Sequence, residues 1–359
     1  MTDRSVVLLI DSLTKGHVDW LRPRIEQRGF KAAYLNLSAA SEPGISISLP
    51  EIRIRVKGEA WQLDHRDLRS VWIGSRFPAG EGLTENPDFR AFAQDEWEAA
   101  VSNLFYLTRD IPWINPLDKD FVSGSKLHQL RLARDAGLDI PRTLVTLDPR
   151  EFSEFLRSCP EGVAIKRLKD KPSLFRSDAG HLRLFTNRIR ESDLARLPLD
   201  RIRAAPCFFQ EYVPKNNELR VYVVGNRLFS VEIFSQLEKE TEVDWRRYPR
   251  KQGSSGWEID YDHWRCSAVD LPPTIQQACR QVVDSMGVRF AAVDLIRAKD
   301  GRYIFLEANN PAAWAWLERR TGLPISDAIV DLLVSDERSP DTPEAPGLSQ
   351  TLSGLGRSL

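Results

Sequence analysis

Two hydrophobic rhythms alternate along the chain, and their order predicts an α/β unit followed by α+β segments. "SVVLLID" (5–11) is a continuous apolar run, "HVDWLRPRIEQRGF" (17–30) has helical spacing closed by glycine, and "AAYLNL" (32–37) returns to strand character. Strand, helix and strand in that order predict a parallel βαβ unit. "EIRIRVKG" (51–58) alternates strictly, with Ile52, Ile54 and Val56 on one face and Arg53, Arg55 and Lys57 on the other. That is a half-buried strand, and its basic face reads as solvated rather than as a docking surface for an acidic peptide. "SVWIGSRFP" (70–78) predicts a strand running into a loop. Residues 86–110 predict a helix through Phe89, Phe92, Trp97, Val101, Leu104 and Leu107.

From residue 114 the character changes. An amphipathic helix over 124–136 carries Lys126 near its start and ends at Gly137; Pro141 then leads into the strand "TLVTL". A helix at 149–158, the strand "VAIKRL" (163–168), a charged loop (169–183) and the strand "LFTNRI" (184–189) complete a small α+β subdomain, with a hairpin whose tip is polar and mobile. "CFFQEYVPKNNELRVYVVGNRLFSVEIFSQ" (207–236) holds two or three strands, with a hinge-like polar break at Pro214–Asn217. Residues 272–288 predict a helix, 289–310 a hairpin and 312–334 mainly helix; no internal repeat is apparent. The stretch 335–359 is rich in Ser, Pro and Gly without apolar periodicity, and reads as a disordered tail.

Composition narrows the function classes. A chain of 359 residues is longer than one core usually supports, so two or three packed units are expected. The 50 basic and 51 acidic residues nearly cancel, which gives no general reason to expect nucleic acid or an anionic membrane as partner. Cys159, Cys207, Cys266 and Cys279 are scattered and form no C-x-x-C pair, so neither a zinc site nor a disulfide framework is indicated. The apolar run in "MTDRSVVLLIDS" is too short for a signal peptide, and no stretch approaches membrane-spanning length; a cytoplasmic location is the natural reading. The N-terminal region lacks G-x-G-x-x-G, so a dinucleotide site has no support, and no Cys–His or Ser–His pairing suggests a covalent nucleophile.

The candidate chemistry lies downstream. Lys166 interrupts a run otherwise fit for a buried strand, and burying an ammonium without a partner is costly. Taken alone, it reads as a lysine on a solvated strand face. If "AAVDLIRA" and "YIFLEANN" pair, Asp294, Glu307 and Asn309 come together, with Glu307 and Asn309 on one face of a strand. Oxygen ligands grouped in this way suit Mg²⁺; a polar edge hairpin with no ligand is an equal alternative on spacing alone. "FFQEYV" (208–213) can offer backbone groups to a planar base between apolar side chains. Together, the lysine, the linking strand and the carboxylate–amide set suggest a nucleoside triphosphate with Mg²⁺.

The order of these pieces resembles the ATP-grasp superfamily, and within it the RimK-like branch and the graspetide (microviridin-type) peptide ligases. The matching stretches are "SKLHQLRLARDAGLDIPRTLVT", "VAIKRL", "LFTNRI", "FFQEYVPKNNELRVYVVG", "SVEIFSQ", "VDWRRY", "AAVDLI" and "FLEANNPAAWAWLERRTGLPISDAIVDLL", covering roughly 114–334. The "SQ…DWR" element is the most telling for the graspetide branch. The resemblance implies an ATP-grasp fold, two α+β subdomains clasping ATP (116–205 and 206–334), preceded by an α/β pre-ATP-grasp domain (1–115) and followed by the tail (335–359). It implies phosphate-facing roles for Lys126 and Lys166, an adenine-binding linker at Gln210, Glu211, Tyr212 and Val213, and a ribose contact at Glu218. Arg220 and Arg246 would meet the γ-phosphate and an acyl phosphate, Asp294, Glu307 and Asn309 would hold Mg²⁺, and the loop 169–183 would be the lid over the triphosphate.

The implied activity is ATP-dependent formation of side-chain esters or amides in a ribosomally made precursor peptide with a leader and an acidic core. The alternatives are an ATP-grasp ligase that joins a free amino acid to a peptide or small carboxylate, and a binding protein that keeps the pocket without catalysis. The resemblance allows a homodimer. Two departures stand out. The usual E-x-N-P followed by Gly, Gln and an aromatic residue is here "EANNPAAW", with the proline displaced by one and Ala313 at the glutamine position, although Trp314 keeps its offset from Glu307. "VWIGSRFP" matches the N-terminal domain's strand and arginine pair only loosely. Trp314 and Trp316 are expected to pack a helix on the sheet, and His128 and His181 to be structural or surface residues.

Overall fold

A computed structural model describes residues 4–11, 17–37, 44–50, 53–58, 61–74, 86–168, 175–177, 180–182, 186–247, 250–253, 256–259, 265–310 and 312–335. Arg76, Pro311, most of the loop 169–183 read as a lid, and all but the first residue of the 335–359 tail lie outside the described residues. The chain divides into two compact units, Met1–Leu117 with Val330–Leu359, and Asp118–Ile329.

The first unit begins with β1 (Val6–Asp11), α1 (His17–Gln27) and β2 (Lys31–Asn36). β1 and β2 pair in parallel, the βαβ unit expected from the pattern. Next come β3 (Gly44–Ser48), β4 (Arg53–Gly58), β5 (Trp61–Asp64), β6 (Leu68–Ile73), α2 (Pro87–Leu107) and β7 (Trp113–Ile114). A parallel sheet runs in the order β2-β1-β6-β7, and β3-β4-β5 form a separate antiparallel sheet. All six residues of β1 are buried, because a central parallel strand is covered on both faces. In β4, Ile54 and Val56 are buried while Arg53, Arg55 and Lys57 are exposed, which is the half-buried strand of the sequence reading.

The second unit opens with α3 (Asp120–Ser123), α4 (Lys126–Asp135), β8 (Thr143–Thr146), α5 (Pro149–Arg157) and β9 (Val163–Lys166). Asp148 caps α5 by accepting from the Arg150 N–H at 2.8 Å, with Pro149 in the first turn, where its missing N–H costs nothing. Then follow β10 (Phe175–Ser177), β11 (Gly180–Leu182), β12 (Asn187–Ile189) and β13 (Cys207–Glu211). β10 and β11 form an antiparallel hairpin, and β12-β9-β13-β8 form a four-stranded sheet. Gly162 lets β9 enter this sheet: its φ is +83°, and a Cβ there would sit 2.3 Å from the Ile189 carbonyl oxygen.

The rest of the unit is β14 (Lys215–Val224), β15 (Arg227–Ile233), β16 (Arg250–Gly253), β17 (Gly256–Ile259), β18 (Cys266–Ala268), α6 (Pro273–Ser285), β19 (Phe290–Ala298), β20 (Tyr303–Asn309), α7 (Ala315–Thr321) and α8 (Ile325–Val334), whose last turn clusters with the first unit. A five-stranded sheet runs β18-β15-β14-β19-β20. One face, through Leu219, Val221, Val223, Val293 and Leu295, packs with Leu130 of α4 and Val282 and Val283 of α6. The expected polar break at Pro214–Asn217 is shorter than that, since β14 already starts at Lys215. The pattern misled because Lys215, Asn217 and Glu218 are polar yet buried, each with a hydrogen-bond partner within the sheet or its loops.

β20 carries a second departure from simple alternation. Asp294 pairs with Glu307 but Leu295 pairs with Phe305, so Leu306 is an extra residue, a β-bulge. In plain alternation Phe305 and Glu307, two apart, would share a face; with Leu306 bulged, Phe305 enters the apolar core while Glu307 and Asn309 turn to the opposite face. Among the described residues no helix is long and apolar enough to cross a membrane.

Candidate active site

A cleft in the second unit, enclosing about 1090 Å³ of empty space with its open mouth included, brings together residues from both of that unit's larger sheets. Lys126, Lys166, Gln210, Glu211, Tyr212, Val213, Glu218, Arg246, Asp294 and Glu307 all line it. Arg220 and Asn309 are not in its lining but hydrogen-bond directly to Asp294. All twelve residues singled out from the sequence are therefore in one place.

Pairing in the four-stranded sheet explains one wall. Lys166 lies opposite Phe208, and Gln210 opposite Ala164 and Thr143, so these side chains share a face. Phe209 points the other way and packs on Phe152 of α5, with ring centroids 4.3 Å apart. Gln210 donates to the Thr143 hydroxyl at 3.2 Å, and Tyr212 is covered by the Arg188 guanidinium 3.9 Å above its ring.

The opposing wall is the second face of the five-stranded sheet, where Glu218, Arg220, Asp294, Glu307 and Asn309 project together. One terminal nitrogen of Arg220 donates to both Asp294 oxygens, at 2.8 and 3.0 Å, and its Nε donates to the Tyr222 hydroxyl at 3.0 Å. Asn309 donates to Asp294 at 2.8 Å. Lys126, from the first turn of α4, donates to Glu307. One turn on, Gln129 accepts from the Ala308 N–H and donates to the Ala308 carbonyl, both at 2.9 Å. α4 thus grips β20 at the residue between Glu307 and Asn309.

Four ion pairs ring the cleft: Lys126–Glu307, Arg220–Asp294, Lys215–Glu218 and Arg246–Asp244. Lys166 stands apart, with neither hydrogen bond nor ion pair among the described residues. Burial lowers its pKa to about 8; Glu307 pulls the other way, while Lys126, Arg246 and Lys215 add to the lowering. An anion in the cleft would relieve the cost of burying this charge. Burial, with help from Glu307 and against Arg220, raises Asp294 to about 6. Burial also disfavours the Glu307 charge, but Lys126, Arg246 and Lys166 hold its carboxyl well below the usual range.

The Asp294–Glu307–Asn309 set offers hard oxygen donors from facing strands, which fits Mg²⁺ rather than a softer metal. No cluster of three or more His, Cys, Asp or Glu that could hold a metal occurs among the described residues, and this set has two carboxylates and one amide.

Sequence reasoning missed Lys215, Asp244, Gln129 and Trp245. Lys215 is buried and donates to Glu218 at 2.7 Å, so the carboxylate assigned to ribose is already engaged. Trp245 lines the cleft beneath Arg220 and stacks on Trp316, with centroids 5.5 Å apart. Trp314 is fully buried and donates to the Ser326 hydroxyl at 2.9 Å, in keeping with a packing role.

No protein-family model matches the chain. The structure of macrocyclase MdnC from Microcystis aeruginosa MRC, bound with precursor peptide MdnA, superposes with a TM-score of 0.76 at 26% identity, covering 92% of this chain and 99% of that one. The chain has the ATP-grasp fold of this ligase. A RiPP-associated ATP-grasp ligase from Chryseobacterium gregarium, in complex with ADP and a leader and core peptide, has the same fold: TM-score 0.80, 24% identity, 93% and 98% covered. Among curated proteins, tetrahydromethanopterin:alpha-L-glutamate ligase of Methanococcus maripaludis is 23% identical over 235 residues, 64% of this chain and 71% of its own length. The ATP-grasp fold accounts for the architecture: in the second unit two sheets face a shared cleft, the arrangement implied by the order of the motifs.

Proposed function

We propose that the chain is an ATP- and Mg²⁺-dependent ligase that joins Asp or Glu side chains of a ribosomally made precursor peptide to hydroxyl or amine side chains of the same peptide. The observation that carries this reading is the lone cation Lys166 facing the Asp294–Glu307–Asn309 donors across one cleft. The likeness to two ligases solved with peptides supports the peptide as substrate.

In this reading Lys166 and Lys126 take up triphosphate charge, and Gln210, Glu211, Tyr212 and Val213 border the base. Glu218, tied to Lys215, borders the ribose. Asp294, Glu307 and Asn309 would hold Mg²⁺, which would supply positive charge against the phosphates. The γ-phosphate passes to a peptide carboxylate, giving ADP and an acyl phosphate. A hydroxyl or amine then attacks that carbonyl, phosphate leaves, and the nucleophile's proton is released. Arg220 and Arg246 hold the negative charge that builds on the phosphoryl and carboxyl oxygens, and fixed donors of this kind carry most of the catalysis where no covalent nucleophile is present. The two clasping subdomains are 116–205 and 206–334, with 1–115 as the preceding domain. An acidic core, a cytoplasmic setting and a homodimeric assembly belong to the same reading.

A second reading, addition of a free amino acid such as glutamate, is supported by the curated relative. Incubation with ATP, Mg²⁺ and a short peptide rich in Asp/Glu and Ser/Thr/Lys, encoded beside this chain, separates the two. The first expects peptide-dependent ADP release and loss of one water mass per ring; turnover with free amino acids alone would refute it.

A further inference from the structure

Asp244 is buried in the cleft wall, and both its oxygens are filled. Oδ1 accepts from the Arg246 N–H at 3.1 Å and from Arg246 Nε at 2.8 Å; Oδ2 accepts from Arg246 Nη2 at 3.0 Å and from the Thr186 N–H at 3.0 Å. A carboxylate offers about four acceptor sites, so none is left over for a metal or for a proton from substrate. Asp244 is therefore neither ligand nor base. It does grip the fork of an arginine whose side chain is otherwise 51% exposed.

The same turn holds a second strand. The Thr186 carbonyl accepts from Arg247 Nη2 at 2.7 Å, so both backbone groups of Thr186 are taken by the Asp244–Arg247 turn. Thr186 leads into β12 of the four-stranded sheet, while the turn follows β15 of the five-stranded sheet. The turn is braced from behind: Thr241 donates to the Ser235 carbonyl at 2.7 Å, Gln236 to the Glu242 carbonyl at 2.9 Å, and Lys215 to the Val243 carbonyl at 3.3 Å.

We propose that Asp244 is a positioning residue that holds Arg246 in its working orientation only while Thr186 is docked, so that the two sheets must stand at this separation for the arginine to be aimed. The proposal rests on the ligase reading above. An exposed arginine samples many rotamers, and a bidentate carboxylate removes that freedom before substrate arrives. If the sheets part, the Thr186 N–H leaves, Oδ2 loses its fixed donor and the fork is released.

The test uses the full chain with Asp244→Asn, Arg247→Ala and Arg246→Ala, alone and in pairs. Asp244→Asn should lower kcat roughly 30-fold with KM for ATP changed less than about threefold, and should cost under about twofold more when Arg246 is already Ala. Arg247→Ala, which leaves the fork's carboxylate in place, should lower kcat about fivefold, and that loss should also vanish in the Arg246→Ala background. Amide exchange at Thr186 should quicken in Asp244→Asn and Arg247→Ala but not in Arg246→Ala. Equal losses with and without Arg246, or unchanged Thr186 exchange in the first two variants, would overturn the proposal. Absence of any peptide-dependent turnover in the unaltered chain would instead count against the ligase reading, and the exchange pattern would still decide the tie between Asp244 and Thr186.

Discussion

The two sheets that face the cleft treat buried charge in opposite ways. The five-stranded sheet presents its acids already neutralised, Asp294 by Arg220 and Glu307 by Lys126. The four-stranded sheet presents Lys166 with no ion-pair partner among the described residues. A paired charge is held for structure as well as chemistry, whereas one without an ion-pair partner is a standing cost that an anionic ligand can relieve. The contrast teaches that two lysines lining one cleft can have unlike effects on the fold.

The sharpest way to break this comparison is to delete each lysine in turn. Lys126→Met leaves the Glu307 carboxylate without its closest partner, and should lower the stability of the nucleotide-free protein by about 3 kcal/mol in calorimetry while abolishing turnover. Lys166→Met should leave that stability unchanged or raise it, yet lower kcat/KM for ATP about 100-fold, because the lost group serves the ligand and not the fold. Equal destabilisation by the two changes would erase the distinction.

A pH series sharpens it further. Lys166 is lowered to about 8 from an ordinary 10.5, so the unfolded chain holds that proton more tightly than the folded one. Below pH 8 both states are protonated and the cost of the buried charge is present in full. As pH rises from about 8 to 10.5 the folded protein sheds the proton first, and this group's contribution shifts in favour of folding. Nucleotide affinity should move the other way, weakening above pH 8 in the unaltered protein but not in Lys166→Met, as titration calorimetry can record.

The smallest effect belongs to the basic face of β4. Arg55→Ala and Lys57→Ala remove exposed charges from the first unit, and should change stability by no more than about 0.5 kcal/mol and peptide KM not at all. A rise in peptide KM would revive the docking reading of that face.

What was legible in the sequence follows the same division. Residues whose neighbours obey a simple period could be placed: β1 and β2, the alternation of β4, and the strand carrying Lys166. The order of motifs also brought out the ATP-grasp fold and twelve side chains that the structure gathers at one cleft. Residues that matter through a partner far along the chain were not legible. Gln129 acts through Ala308, and Asp244 through Thr186, and neither local pattern points there. Lys215 was concealed for a related reason: in "PKNNE" it looks like loop chemistry, and only the carboxylate three residues on shows why it can be buried in a strand. The short strands β7 and β18 are held by their neighbours rather than by their own composition, so no run announced them.

Leu306 sets a rule for how this site can vary. Because it offsets the phase of β20, Phe305 and Ala308 enter the core while Glu307 and Asn309 face the cleft. Substitutions on the cleft side can be tried one at a time without disturbing the packing of Phe305 and Ala308. Drawing Leu306 into the ladder opposite Leu295 would put Phe305 and Glu307 on one face, either carrying Glu307 toward Val293 and Leu295 or bringing Phe305 out among the charges. The cleft face of β20 can thus vary in composition while the bulge keeps Phe305 in the core.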